Sequence, residues 1–215
     1  MASPSLILDR NGAVFERHTY RHEGLELVAW IVRPPGSGPF PLLVLNHGSG
    51  ISLSSDGTLI DVSSRHTVDP ENPAWARIAA NGAFNLFPEG RGYGGSEGPS
   101  PLDAVRGGTD TAFDMLLGRA ADANAATDWA CVRPDVDGNR CAIAGASHGA
   151  VVSILAVAQR RPYGAVVAQA TGAAYGRIEA SVRPIANAAA RITALVLFQH
   201  MQTDTLVPQG RANNF

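Results

Sequence analysis

Arg140-Cys141-Ala142-Ile143-Ala144-Gly145-Ala146-Ser147-His148-Gly149-Ala150 is the stretch that decides the fold. Its first half, Arg140 to Ala144, is a short run of small and apolar residues, which predicts a buried strand. Its second half opens a run from Ser147 to Arg160 with helical character, ending before Pro162. Between them stands G-x-S-x-G. A turn this sharp, from strand directly into helix, forces unusual dihedrals on the serine, and glycines on both sides avoid clashes between neighbouring chain segments. The hydroxyl of Ser147 is then lifted above the sheet edge at a helix N-terminus, where the positive end of the dipole and backbone N–H groups meet developing negative charge. The N–H of His148 is the expected oxyanion donor. The plainer alternative is a glycine-rich helix start with Ser147 as an ordinary N-cap. The side chain of His148 adjoins the serine in sequence, so its geometry does not suit a general base; a packing or substrate-facing role is expected.

Working outward, Leu42 to Asn46 is continuously apolar and predicts a strand buried on both faces. Gly48 to Asn72 reads as a long loop, Pro73 to Asn81 as a helix stopped by Gly82, and Ala83 to Phe87 as the next strand. After the glycine-rich loop Gly90 to Pro99, the stretch from Leu102 to Trp129 has helical spacing, and Pro134 to Asn139 is turn chemistry. Ala165 to Ala168 and Leu195 to Phe198 predict two further buried strands, joined through a helical stretch around Arg177 to Ala190. Ahead of all this, Val14 to Tyr20 and Leu25 to Val32 flank the turn His22-Glu23-Gly24 and predict an antiparallel hairpin. Strands alternating with helices from Leu42 onward predict an α/β fold, with a mostly parallel central sheet and helices on both faces. Ligands in such sheets bind beyond the C-terminal ends of the strands, which is where the chemistry-bearing loops fall.

Two of those loops carry a resemblance. Asn46-His47-Gly48-Ser49-Gly50 follows the first parallel strand, and Arg91-Gly92-Tyr93-Gly94-Gly95-Ser96-Glu97-Gly98 follows the next. Together with the G-x-S-x-G turn, this order is similar to the α/β-hydrolase superfamily, most of all to its dienelactone hydrolase and prolyl-oligopeptidase-like branches, over roughly Leu42 to Pro208. The resemblance implies a serine hydrolase that forms an acyl-serine at Ser147. It implies a second oxyanion donor in the His47 loop, with Ser49 N–H preferred over Gly50 N–H. The Arg-Gly-Tyr-Gly segment is structural in many such relatives, shaping the rim of the site. Asp204, in Gln199 to Pro208 after the last strand, matches the family's carboxylate and keeps the order Ser, Asp, His. Little chain separates it from Ser147, which implies no large lid.

The pattern breaks at the histidine. Imidazole must take the serine proton and return it to the leaving group. The six histidines, His18, His22, His47, His66, His148 and His200, all precede Asp204. Three accounts stand. The chain is C-terminally incomplete and lacks the last strand, the histidine loop and the last helix. Or another histidine has taken over, His200 being nearest to Asp204, while His47 serves the oxyanion loop instead. Or the protein is a non-catalytic binding protein on a degenerate hydrolase scaffold. A missing edge strand would leave Leu195 to Phe198 as an apolar edge through which two copies could pair as a homodimer.

Composition sets the outer limits. The chain has 215 residues, 45% apolar and 17% charged, which suits a single α/β-hydrolase domain over 1–215. A net charge of −2 without long like-charged runs argues against nucleic acid and against a polybasic membrane contact. With two cysteines, Cys131 and Cys141, neither a disulfide framework nor a cysteine zinc site can be built, and both read as small buried apolar residues. No apolar run approaches the about 20 residues of a membrane span, and Met1 to Arg10 lacks the basic start of a signal peptide, so a cytoplasmic location is expected by default. The expected partner is a small-molecule ester or acyl substrate, with no metal and no organic cofactor. A carboxylic ester is the leading substrate class and a prolyl-oligopeptidase-like peptide bond the second.

Overall fold

The computed structural model of the chain describes residues 6–10, 12–159, 163–171 and 178–200, with the side chains of 6–10 and 178–182 left aside. Its main sheet has eight strands: β1 (Leu6–Arg10), β2 (Ala13–His22), β3 (Leu25–Arg33), β4 (Phe40–Asn46), β7 (Phe84–Pro88), β8 (Val136–Ala146), β9 (Tyr163–Gln169) and β10 (Leu195–Gln199), in the spatial order β1-β2-β3-β7-β4-β8-β9-β10. The first three run antiparallel and β3 meets β7 antiparallel. From β7 through β4, β8 and β9 to β10 every pairing is parallel. The strand leading to Ser147 therefore lies inside the parallel half, paired on both sides.

Burial explains why β3 carries no polar face. Leu27, Ala29 and Ile31 enter one core, and Val28, Trp30 and Val32 the other, by the two-residue period of a strand. The first core lies under α3 (Thr109–Cys131), α4 (His148–Gln159) and α5 (Ile178–Ala189); the second lies under α1 (Pro73–Ala79), through Trp75 and Ala79. Helices cover both faces, as the alternation predicted.

Several boundaries differ from the expectation. The N-terminal hairpin is a three-stranded meander, because β1 pairs with β2. The 48–72 loop contains a small hairpin, β5 (Ile51–Leu53) with β6 (Leu59–Asp61), and a 3-10 turn, Ser63–Arg65. The single helix over 102–129 is two, α2 (Pro101–Arg106) and α3. Gly108, at φ 106°, redirects the chain between them, and Ser100 caps α2 through the N–H groups of Leu102 and Asp103. Val136 to Asn139, read as part of a turn, begins β8, with a bulge before Ala142 accommodating the excess length. The largest correction is β10. It is not a buried strand: Leu195, Val196, Leu197 and Phe198 are all exposed. Among the described residues it bonds to a neighbour on one side only, β9, and nothing covers its two faces. Cys131 and Cys141, partly and fully buried, are not joined in a disulfide; their sulfurs lie 3.8 Å apart.

Candidate active site

Ser147 sits between the last residue of β8 and the first of α4 with φ 55°, a left-handed backbone that a side chain rarely adopts. Its N–H donates to the Gln169 carbonyl at 2.8 Å, and its own carbonyl accepts from Ala150 N–H at 3.0 Å, so the strained residue is pinned on both sides. The flanking glycines are required by space. A Cβ on Gly145 would stand 2.2 Å from the Gly149 oxygen, and one on Gly149 2.2 Å from the Asn46 oxygen. The turn thus packs against itself and against the end of β4. Ser147 is exposed, and among the described residues no side chain hydrogen-bonds its hydroxyl.

The His47 loop lies against the same turn. Asn46 Nδ2 donates to Ser153 Oγ, which donates to the Gly149 carbonyl, joining the end of β4 to the first turn of α4. The carbonyls of the loop face inward onto side chains. Arg119 donates to His47 O at 3.1 Å and to Gly48 O at 3.4 Å, and the Tyr93 hydroxyl donates to Ser49 O at 2.7 Å. Tyr93 comes from the Arg-Gly-Tyr-Gly segment, so that segment does structural service here.

Arg91 of the same segment is held from below. Asp122, fully buried on α3, accepts from Arg91 N–H, Nε and Nη2 at 3.0, 2.9 and 2.8 Å, and it also bonds His22 Nδ1. Those bonds to Asp122 raise the Arg91 pKa above its ordinary value. Glu89, also buried, accepts from Trp30 Nε1, Thr67 Oγ1 and Gly95 N–H, which closes the other end of the loop.

Around Arg119 stand three imidazoles. His148 is buried, and its Nδ1 lies 2.7 Å from Arg119 Nη1. A guanidinium only donates, so Nδ1 accepts and the ring proton is on Nε2. His47 Nε2 lies 2.6 Å from the Glu89 carbonyl and donates to it. His66 stacks on His47 with ring centroids 4.4 Å apart. Burial, and then the Arg119 charge, hold His47 and His148 well below the ordinary histidine pKa; the same two causes lower His66. The ring of His148 packs inward, the first of the two roles expected for it, and His47 bonds the Glu89 carbonyl at the end of the neighbouring strand.

The other candidates fall elsewhere. His18 bonds Glu16, and His22 bonds Asp122, both at the antiparallel end of the sheet. His200 follows β10. The register Ala146↔Gln169↔Gln199 sets Ser147, Ala170 and His200 at one level, two strand spacings apart from first to last, or about 10 Å. Asp204 lies outside the described residues. Sequence reasoning missed Arg119, whose lone signal was a cation inside the apolar spacing of α3. Among the described residues no group of three or more His, Cys, Asp or Glu could hold a metal ion, and no helix is long and apolar enough to cross a membrane.

The model of the X-Pro dipeptidyl-peptidase (S15 family) matches residues 23–206. No curated protein sequence matches. Among solved structures, acetyl xylan esterase 1 from Thermoanaerobacterium is similar with a TM-score of 0.70 and 18% identity, over 100% of this chain and 79% of that one. An acylaminoacyl peptidase from Pyrococcus horikoshii is similar at a TM-score of 0.69 and 16% identity, over 95% of this chain but only 34% of its own. A protein titled as a dienelactone hydrolase, from Klebsiella pneumoniae, has a TM-score of 0.65 and 19% identity, over 95% and 79%. At these identities the likeness shows a shared fold, the α/β-hydrolase fold.

Proposed function

Since this chain belongs to the X-Pro dipeptidyl-peptidase (S15) family of α/β-hydrolases, we propose that it is a serine hydrolase cleaving a carboxylic ester or related acyl bond through an acyl-serine at Ser147. The observation that carries the reading is the strained serine, at φ 55° between two glycines where a Cβ would run into backbone. Strain of this kind persists only where the surrounding structure enforces it, and it gathers at functional sites.

In the proposed reaction the Ser147 oxygen attacks the acyl carbon while its proton passes to an imidazole. The carbonyl oxygen becomes an oxyanion and takes hydrogen bonds from the N–H of His148 and the N–H of Ser49. The tetrahedral intermediate collapses, the imidazole gives its proton to the leaving group, and water repeats the sequence to release the acid. Asp204 orients the imidazole. His18, His22, His47 and His148 are committed to other partners. That leaves His66 and His200 among the six; in the usual chain order of the fold the base follows the carboxylate, so either would depart from it.

A fluorophosphonate probe tests the reading. The folded chain is expected to take one label, lost in Ser147→Ala; a folded chain that takes none sinks the catalytic reading in favour of a binding protein on the same scaffold. The family match favours a second substrate class, a peptide bond after an X-Pro dipeptide, while the esterase neighbours favour small acyl groups. Rates on p-nitrophenyl acetate against Gly-Pro-p-nitroanilide separate the two.

A further inference from the structure

Arg119 is 2% exposed, and no reaction step above uses it. A buried cation is costly unless it is paired or densely hydrogen-bonded. The nearby carboxylate, Asp122, is committed to Arg91 and His22 and acts on Arg119 only through space. Instead the guanidinium is spread over backbone carbonyls, an imidazole nitrogen and the face of the Tyr93 ring, 4.3 Å from its centroid. This is an unusual set of partners: the carbonyls and the imidazole belong to the two segments that meet at Ser147, and the Tyr93 ring comes from the rim segment beside them.

From this geometry we propose that Arg119 is a positioning residue that aligns both halves of the oxyanion hole, the His47 loop and the first residue of α4, with a single guanidinium. The inference rests on the functional reading above. Its physical basis is the planar trans peptide: the N–H of each residue points opposite to the C=O of the residue before it. The Gly48 carbonyl faces inward, 3.4 Å from Arg119 Nη1 and 2.9 Å from His47 Nδ1, so the Ser49 N–H is turned outward. The His47 carbonyl, on the same guanidinium, anchors the preceding peptide, and Tyr93 O–H on the Ser49 carbonyl anchors the following one. On the other side, Nη1 holds the His148 ring by Nδ1 and so fixes the residue whose N–H is the second donor. A neutral donor at this site would leave carbonyls poorly polarised; a cation that is always charged strengthens each bond. Hydrogen-bond donors placed in advance are what oxyanion stabilisation requires.

The test uses the whole chain with Arg119→Met and Arg119→Lys. Arg119→Met is expected to lower kcat on p-nitrophenyl acetate about 100-fold, the scale of losing one oxyanion donor, with KM changed less than about threefold, since only the transition state carries the oxyanion. Arg119→Lys, which keeps a buried cation but not the forked geometry, should recover about tenfold of that loss. Unchanged kcat in a folded Arg119→Met overturns the inference; should that variant not fold, an Arg119→Lys of wild-type kcat overturns it. A second measurement does not depend on turnover. Backbone 15N order parameters for Gly48, Ser49 and Gly50 are expected above about 0.8 in the wild type and below about 0.6 in Arg119→Met or, if only that folds, clearly lowered in Arg119→Lys. Order parameters that stay unchanged refute the positioning role even if no ester is hydrolysed. Failure of the wild type to label with fluorophosphonate would instead bring down the proposed function, leaving Arg119 to be judged by the amides.

Discussion

Ser147 holds a left-handed backbone because two hydrogen bonds and two Cβ-free neighbours leave it no other. A single methyl group should therefore do more harm at Gly145 or Gly149 than at most surface glycines. Gly149→Ala places a Cβ 2.2 Å from the Asn46 oxygen, where backbone must move to make room. A loss of about 2–4 kcal/mol is expected, in the upper range for single substitutions, read as a shift in the urea midpoint at unchanged slope. At the same scale, buried ionisable groups set the pH response. His47 and His148 are held neutral in the folded chain but protonate in the unfolded one below about pH 6.5. Their depressed folded pKa means stability is full above that value and falls as the pH drops through it, by up to about 1.4 kcal/mol per pH unit for each group. Glu16 adds a second limb. Burial raises its pKa, but the His18 hydrogen bond and the charges of Arg133 and Arg33 outweigh this and bring it from 4.5 to about 2. Its contribution is whole above pH 4.5 and is lost toward pH 2, so Glu16→Gln should flatten that part of a denaturation-against-pH curve and leave the upper limb in place.

At the scale of elements, α3 acts as the strut of the site. One turn of it carries Arg119 and Asp122; the first reaches the His47 loop, and the second clamps Arg91 through three hydrogen bonds. Asp122→Ala would leave Arg91 partly buried with only the exposed Glu23 carboxylate, on Nη2, as acceptor. Breaking a buried pair from one side costs about 3–5 kcal/mol, and the rim segment 90–98 should loosen before the parallel strands do. Hydrogen exchange would show this as faster exchange at the Arg91 and Gly92 amides with little change in β4 and β8.

At the scale of the whole molecule, the described residues leave the β10 edge of the sheet open. β10 presents Leu195 at 79% exposure and Phe198 at 43%, which point to opposite faces of the sheet, so among the described residues both faces are uncovered at this end. Exposed apolar edges of this kind template pairing with another chain. A second copy of the chain is the expected occupant in solution. Leu197→Lys, a charge on the edge strand, should shift sedimentation toward the monomer while leaving the urea midpoint within about 0.5 kcal/mol, as for other exposed sites. An unaltered sedimentation profile would dismiss the edge as the contact.

What the sequence determined by itself was local and covalent in origin. The strand-turn-helix around Ser147 followed from residue size, since glycine alone fits where backbone touches backbone, and the order of strands and helices followed from apolar periodicity. The loops holding Ser49 and His148 could be placed because each follows a strand. What only the tertiary structure decided depends on segments distant in the chain. Arg119 looked like a stray charge in a helix; its meaning comes from carbonyls some 70 residues away in the chain. Leu195 to Phe198 read as buried because a run of apolar residues signals a strand but not how many neighbours it has. Burial is a property of what lies alongside, and the local pattern carries no record of that.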